Sequence, residues 1–107
     1  MGFLSRLFGG KKETGTEEIQ IVSRKPVGKF HVEKVFHIMG RETLVGTVER
    51  GVIYPGYKVK GKKAAVIYRI EKGRKAVDFV IDGDKAALIL EGSTKAKEGD
   101  TLEVYQS

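Results

Sequence analysis

Residues 35–56 read VFHIMGRETLVGTVERGVIYPG, and this stretch decides the fold. β-Branched and aromatic residues crowd it, and no long amphipathic helical pattern runs through it. Met39-Gly40-Arg41 and Tyr54-Pro55-Gly56 carry turn residues between apolar runs, so the stretch predicts strands joined by tight connections. Extended backward, Phe30, Val32, Phe36 and Ile38 share one parity. Side chains alternate along a strand, so these four are expected on a common face.

The same pattern continues outward. Strands are expected at 19–23, 29–39, 43–49, 57–60, 65–72, 75–81, 86–90 and 101–105, with further turns at Lys72-Gly73-Arg74, Asp82-Gly83-Asp84 and Glu98-Gly99-Asp100. An all-β fold follows. Many short strands with Gly-containing turns favour a small closed barrel, because closure removes the unpaired edges on which strands aggregate. The reading is one barrel domain over residues 19–107 preceded by a tail at 1–18. In that tail Phe3, Leu4, Leu7 and Phe8 fall on one side of a short helix, which reads either as an amphipathic hook for a partner or as a flexible end. Two helical turns are marginal alone, so membrane contact through the tail is not expected.

Composition narrows the function classes. At 107 residues and 11.8 kDa the chain holds one compact domain, not several. It has no cysteine, which excludes disulfides, thiolate zinc sites and cysteine nucleophiles. Asn is absent while Lys, Glu, Val and Ile abound, a thermophile-like balance. Without a signal-like or spanning apolar run, the expected location is cytoplasmic. His31, Glu33 and His37 share parity but are spread too far along a strand to hold one metal, so no metal and no other cofactor is expected. No Ser/His/Asp constellation is readable, so no catalytic residues are named and an enzyme is not expected.

The charge is unevenly spread. Between residues 58 and 75, eight basic residues (Lys58, Lys60, Lys62, Lys63, Arg69, Lys72, Arg74, Lys75) meet one acid, Glu71, whereas residues 76–107 carry seven acids and three lysines. With Tyr54, Tyr57 and Tyr68 interleaved, the basic stretch reads either as a face for a phosphate backbone and unstacked bases or as a solvated hairpin. Nothing here supplies a recognition helix for a DNA groove, so RNA is the favoured polyanion.

The run Val35-Phe36-His37-Ile38-Met39-Gly40-Arg41-Glu42-Thr43 with Gly46, Val48, Gly51, Ile53 and Gly56 resembles the second domain of the translational GTPases, such as elongation factor Tu, the selenocysteine-specific elongation factor and initiation factor two. Asp82-Gly83-Asp84, the run ending Leu90-Glu91-Gly92, and Glu98-Gly99-Asp100-Thr101-Leu102 resemble that domain's later segments, so the resemblance spans about residues 30–105. It implies a six-stranded Greek-key β-barrel. It also implies tRNA as partner, because aminoacyl-tRNA-carrying members hold the terminal adenosine of the 3′ acceptor end on this domain.

Carried over by position, the resemblance implies an adenosine pocket of Phe36, Ile38, Gly40 and Leu44 with Ile89 opposite, and a polar pair of Glu71 and Arg74. The basic face beside it would comprise Lys58, Lys60, Lys62, Lys63, Arg69, Lys72 and Lys75. Where the family has GRGT this chain has Gly40-Arg41-Glu42-Thr43, and the stretch to Gly46 is one residue shorter, which leaves Thr43 as an alternative to Leu44. Glu91 stands where elongation factor Tu carries Arg. No phosphate-loop motif G-x-x-x-x-G-K-[ST] occurs in the sequence. The chain therefore resembles a stand-alone second domain, like the small tRNA-binding proteins of hyperthermophilic archaea. The implied function is a non-catalytic module that binds tRNA near its 3′ end; the rival is an adaptor that docks on a ribosome, a translation factor or a membrane surface.

Overall fold

The computed structural model describes residues 25–106. The tail at 1–18 and the strand expected at 19–23 lie outside the described residues. Seven strands follow one another: β1 (Gly28–Ile38), β2 (Arg41–Gly51), β3 (Lys58–Lys60), β4 (Ala64–Lys72), β5 (Lys75–Val77), β6 (Lys85–Glu91) and β7 (Thr101–Tyr105). They pair antiparallel in the order β3-β7-β1-β2-β6-β4, and β4 pairs back with β3, so six strands close into a barrel. β5 is a flap on the edge of β4.

Two hairpins show why the glycines sit where they do. β1 turns into β2 through Met39 and Gly40 at φ 52° and 78°, and β4 turns into β5 through Gly73 and Arg74 at φ 61° and 69°. Paired positive φ values give the primed turn whose twist matches that of the strands it joins. Only Gly adopts this backbone freely, so Met39 and Arg74 each hold a conformation unfavourable to a side chain.

Inside the ring, Phe30, Val32, Leu44, Val48, Ile53, Val59, Ile67, Ile70, Val80, Leu88, Leu90 and Val104 are fully buried. Each such side chain contributes roughly 1.5–3 kcal/mol relative to exposure. The strand expected at 75–81 stops at Val77. Beyond it Val80 makes a lone antiparallel bridge with Ile53, with N–H···O distances of 2.9 and 3.0 Å. Leaving the sheet lets Val80 and Ile53 plug the barrel end, and the Asp82-Gly83-Asp84 turn secures them: the Ile81 amide donates to Asp84 Oδ2 at 2.9 Å.

β-Bulges decide which side chains face out. In the β1–β2 ladder the register shifts between Lys29 and Phe30 and again between Val32 and Lys34, where Glu33 is the extra residue. An extra residue inverts the alternation beyond it. Phe30 and Val32 therefore point into the barrel, while Phe36 and Ile38, expected on the same face, lie on the outside and about half exposed. Val35 takes the inward position against the core. Gly46, opposite Val32, permits this close approach, because a methyl there would fall on the His31 carbonyl oxygen. A third bulge at Tyr68, between Ile67 and Arg69 on β4, leaves Tyr68 and Arg69 both outside between buried Ile67 and Ile70.

Candidate functional site

Register places two rows of residues across the outer face of the barrel. One runs Phe36, Thr43, Ile89, Arg69 over β1, β2, β6 and β4; the other runs Lys34, Val45, Ala87, Glu71. The central strands β2 and β6 bear short side chains at these points, and the flanking strands bear long ones. A surface that should bulge is therefore hollowed into a slot of about 650 Å³ lined by Phe36, Ile38, Met39, Arg41, Thr43, Val45, Tyr68, Arg69, Glu71, Ala87 and Ile89.

The walls are apolar and the rim is charged. Arg41 lies over the Tyr68 ring, its guanidinium carbon 4.1 Å from the centroid, which holds a flat cationic group above a flat aromatic one. Arg69 Nε meets Glu71 Oε2 at 3.1 Å. Both partners are substantially exposed, so this pair contributes little to stability and remains open to a competing ligand. On the floor, Thr43 is 4% exposed and its Oγ1 has no hydrogen-bond partner, alone in this among buried side-chain polar atoms of the described residues. Buried hydroxyls are normally paired, so this one is an exception, and almost none of Oγ1 is accessible: a ligand in the slot meets the Thr43 side chain but reaches its hydroxyl only if that side chain turns.

Phe36, Ile38, Glu71 and Ile89 all line this slot. Leu44 does not: alternation turns it into the core, fully buried, and Thr43 takes the slot position. Gly40 forms the hairpin turn beyond the rim. Arg74 sits on the other primed turn beside a neighbouring hollow that it shares with Glu71, Val45, Lys85 and Ala87, but the ion pair of Glu71 is with Arg69. Tyr68 is among the aromatic residues expected to face unstacked bases, and the bulge beside it turns it to the slot; Arg41 and Met39 are not expected there from the sequence, because a hairpin tip leaves no periodic signal.

The basic stretch does not form one face. Lys58, Lys60, Lys62 and Lys63 cluster on the β3–β4 hairpin, while Lys72 and Lys75 stand at the other end of β4. At ~3.3 Å per residue the two groups are separated by about 30 Å of strand. Lys72 is also engaged, its Nζ 2.9 Å from Asp84 Oδ1. The Ile81 amide, and then Lys72, hold the Asp84 carboxyl below its ordinary range.

The bulge that presents the slot is itself pinned. Glu33 Oε2 accepts from Thr47 Oγ1 at 3.0 Å and from Lys85 Nζ at 3.2 Å, tying β1 across β2 to β6. The Thr47 bond, then that of Lys85, hold the Glu33 carboxyl below the usual glutamate range.

With this geometry in view, the family model described as elongation factor Tu domain 4 matches residues 25–103. Among solved structures, GDP-bound aIF5B from Aeropyrum pernix is similar at TM-score 0.66 and 26% identity over 75% of this chain and 15% of that one. A bacterial selenocysteine-specific elongation factor, EF-Sec, is similar in fold at TM-score 0.64 and 19% identity, over 82% of this chain and 16% of that one. The chain thus spans about a sixth of the length of these relatives. No helix among the described residues is long and apolar enough to cross a membrane.

Proposed function

Since the chain belongs to the elongation factor Tu domain 4 family of translation-factor β-barrels, we propose that it is a non-catalytic, cytoplasmic RNA-binding module that takes the 3′ acceptor end of tRNA in the outer slot. The observation that carries this reading is the slot itself, apolar along Phe36, Ile38 and Ile89 and rimmed by Arg41, Arg69 and Glu71. A purine suits such a place. Its flat face covers Phe36, Ile38 and Ile89, and the ribose hydroxyls meet the Glu71 carboxylate. Arg41 and Arg69 on the rim supply cations for the adjoining phosphate, in the role first considered for Arg74.

A rival reading, an adaptor docking on a ribosome or translation factor, draws on a second exposed apolar group: Val52, Tyr54, Phe79 and Ile81 on the Ile53–Val80 ribbon. Methyl NMR separates the two. Titration with a short single-stranded RNA ending in adenosine is expected to shift Ile38, Thr43, Val45 and Ile89, and to leave Val52 and Ile81 in place. Unmoved slot methyls at saturating RNA would overturn the slot reading.

A further inference from the structure

The slot occupies one side of the β1–β2 hairpin; the other side carries a second hollow. His37 and Glu42 are cross-strand neighbours whose side chains alternate away from Phe36, Ile38, Arg41 and Thr43. With Lys62, Ser93, Lys95, Ala96 and Lys97 they line a hollow of about 560 Å³. Three lysines from two distant parts of the sequence meet there. Lys95 and Lys97 belong to the segment whose overall charge is acidic, so the linear charge pattern conceals their place beside the basic hairpin.

The platform beneath these lysines is fixed by buried bonds. Glu42, 3% exposed, accepts from the Thr94 amide at 2.7 Å, from Thr94 Oγ1 at 2.8 Å and from Ser93 Oγ at 3.2 Å. The Thr94 carbonyl in turn accepts from the Lys62 and Lys63 amides at 3.0 and 3.3 Å. Lys95 is held at φ 62°, a backbone that side chains rarely adopt. Glu42 is the only carboxylate lining the hollow, and both its oxygens are committed to the loop. Among the described residues none of Lys62, Lys95 and Lys97 has an ion-pair partner.

The hollow between β3 and β7, which shares Lys62, is less positive: there Lys29, Lys60 and Lys62 sit with two accessible acids, Asp100 and Glu103, whereas the one acid of the His37 hollow, Glu42, is buried. Unpaired like charges on a fixed loop repel one another, and a polyanion that displaces their counterions relieves that cost. We propose that the His37–Lys62–Lys95–Lys97 hollow is a second binding site, one for backbone phosphates of the RNA strand. Phe36 in the slot and His37 in the hollow are consecutive residues, about 3.8 Å apart at Cα. A strand that ends in the slot therefore passes its preceding phosphates around the hairpin tip to the lysines. The orientation of the strand rests on the slot reading; the phosphate site itself does not.

The test is a salt titration of the full chain with two short single-stranded RNAs, one ending in CCA and one lacking the final adenosine. At about −0.7 in log–log slope per phosphate on single strands, the triple variant Lys62→Ala/Lys95→Ala/Lys97→Ala should flatten the slope by roughly 2 for both RNAs. Its affinity near 0.1 M salt should fall roughly tenfold to a hundredfold. The control Lys29→Ala/Lys60→Ala should change the slope far less. A Lys→Gln version of the triple variant, with unchanged thermal midpoint, guards against loss of the loop. A flattened slope in a protein that ignores the terminal adenosine upholds the hollow and overturns the slot. An unchanged slope in a folded triple variant overturns the hollow.

Discussion

Two apolar groups stand exposed on the described barrel, each beside a hollow, and they differ in how far their own side chains pack against one another. Phe36, Ile38, Met39 and Tyr68 line the slot; Val52, Tyr54, Phe79 and Ile81 form the ribbon at the barrel end. The ribbon satisfies itself. Tyr54 packs its ring 5.4 Å from Tyr57 and 5.7 Å from Phe79, and the strands beneath it are bridged through Ile53 and Val80. The slot does not, because short side chains on its floor leave a concavity and the Thr43 hydroxyl goes unpaired. Exposed hydrophobic area alone therefore does not single out a ligand site; the proposal for the slot rests on its concavity, its apolar lining and its charged rim.

If bulge geometry makes the slot, disturbing it should do most damage. Gly46→Ala drives a methyl into the His31 carbonyl beside the Glu33 bulge and should cost about 3 kcal/mol, read as a shift in the urea midpoint. Next come the two aromatic residues. Phe36→Ala should weaken binding of tRNA by about 1–3 kcal/mol, the range for one stacked base, while Phe79→Ala should leave that affinity unchanged. Equal losses measured by fluorescence anisotropy would erase the distinction between the two groups.

A smaller effect concerns pH. Because the Glu33 carboxyl is held below the ordinary glutamate range, its contribution is fully present above that range and is lost as pH falls through the lowered value. The stability difference between the native chain and Glu33→Gln should therefore shrink in acid. Carbon-detected titration should find the Glu33 midpoint low, and Thr47→Val should raise it. The smallest effect is at the hairpin tip: Met39→Asn, better suited to a primed turn, should stabilise by a few tenths of a kcal/mol up to about 1 kcal/mol in thermal melts.

The contrast also explains what could be read from sequence. Alternation and Gly-containing turns made the strands and the barrel legible, because burial of one face and tight turns leave local signatures. The resemblance at residues 35–56 is to a second domain and the family match is to elongation factor Tu domain 4, and the two agree that this is a β-barrel domain of the translational GTPases. The slot was only half legible. Phe36 has the parity of Phe30, yet one extra residue at Glu33 puts them on opposite faces. Tyr68 likewise gains its place from a bulge, and Thr43 replaces Leu44 because Leu44 alternates inward. Charge misled for a related reason: the basic window runs along the length of β4, so its lysines part company, while Lys95 and Lys97 fold back beside Lys62.

The central claim, that the slot holds the terminal nucleoside, is tested most directly by a thermodynamic cycle pairing Phe36→Ala with removal of the 3′ adenosine from tRNA. The account predicts that trimming weakens binding to the native chain by about 1–3 kcal/mol and hardly affects the variant, so that the coupling energy nearly equals the trimming loss. Equal affinities of the native chain for intact and trimmed tRNA, or losses that simply add, would contradict it.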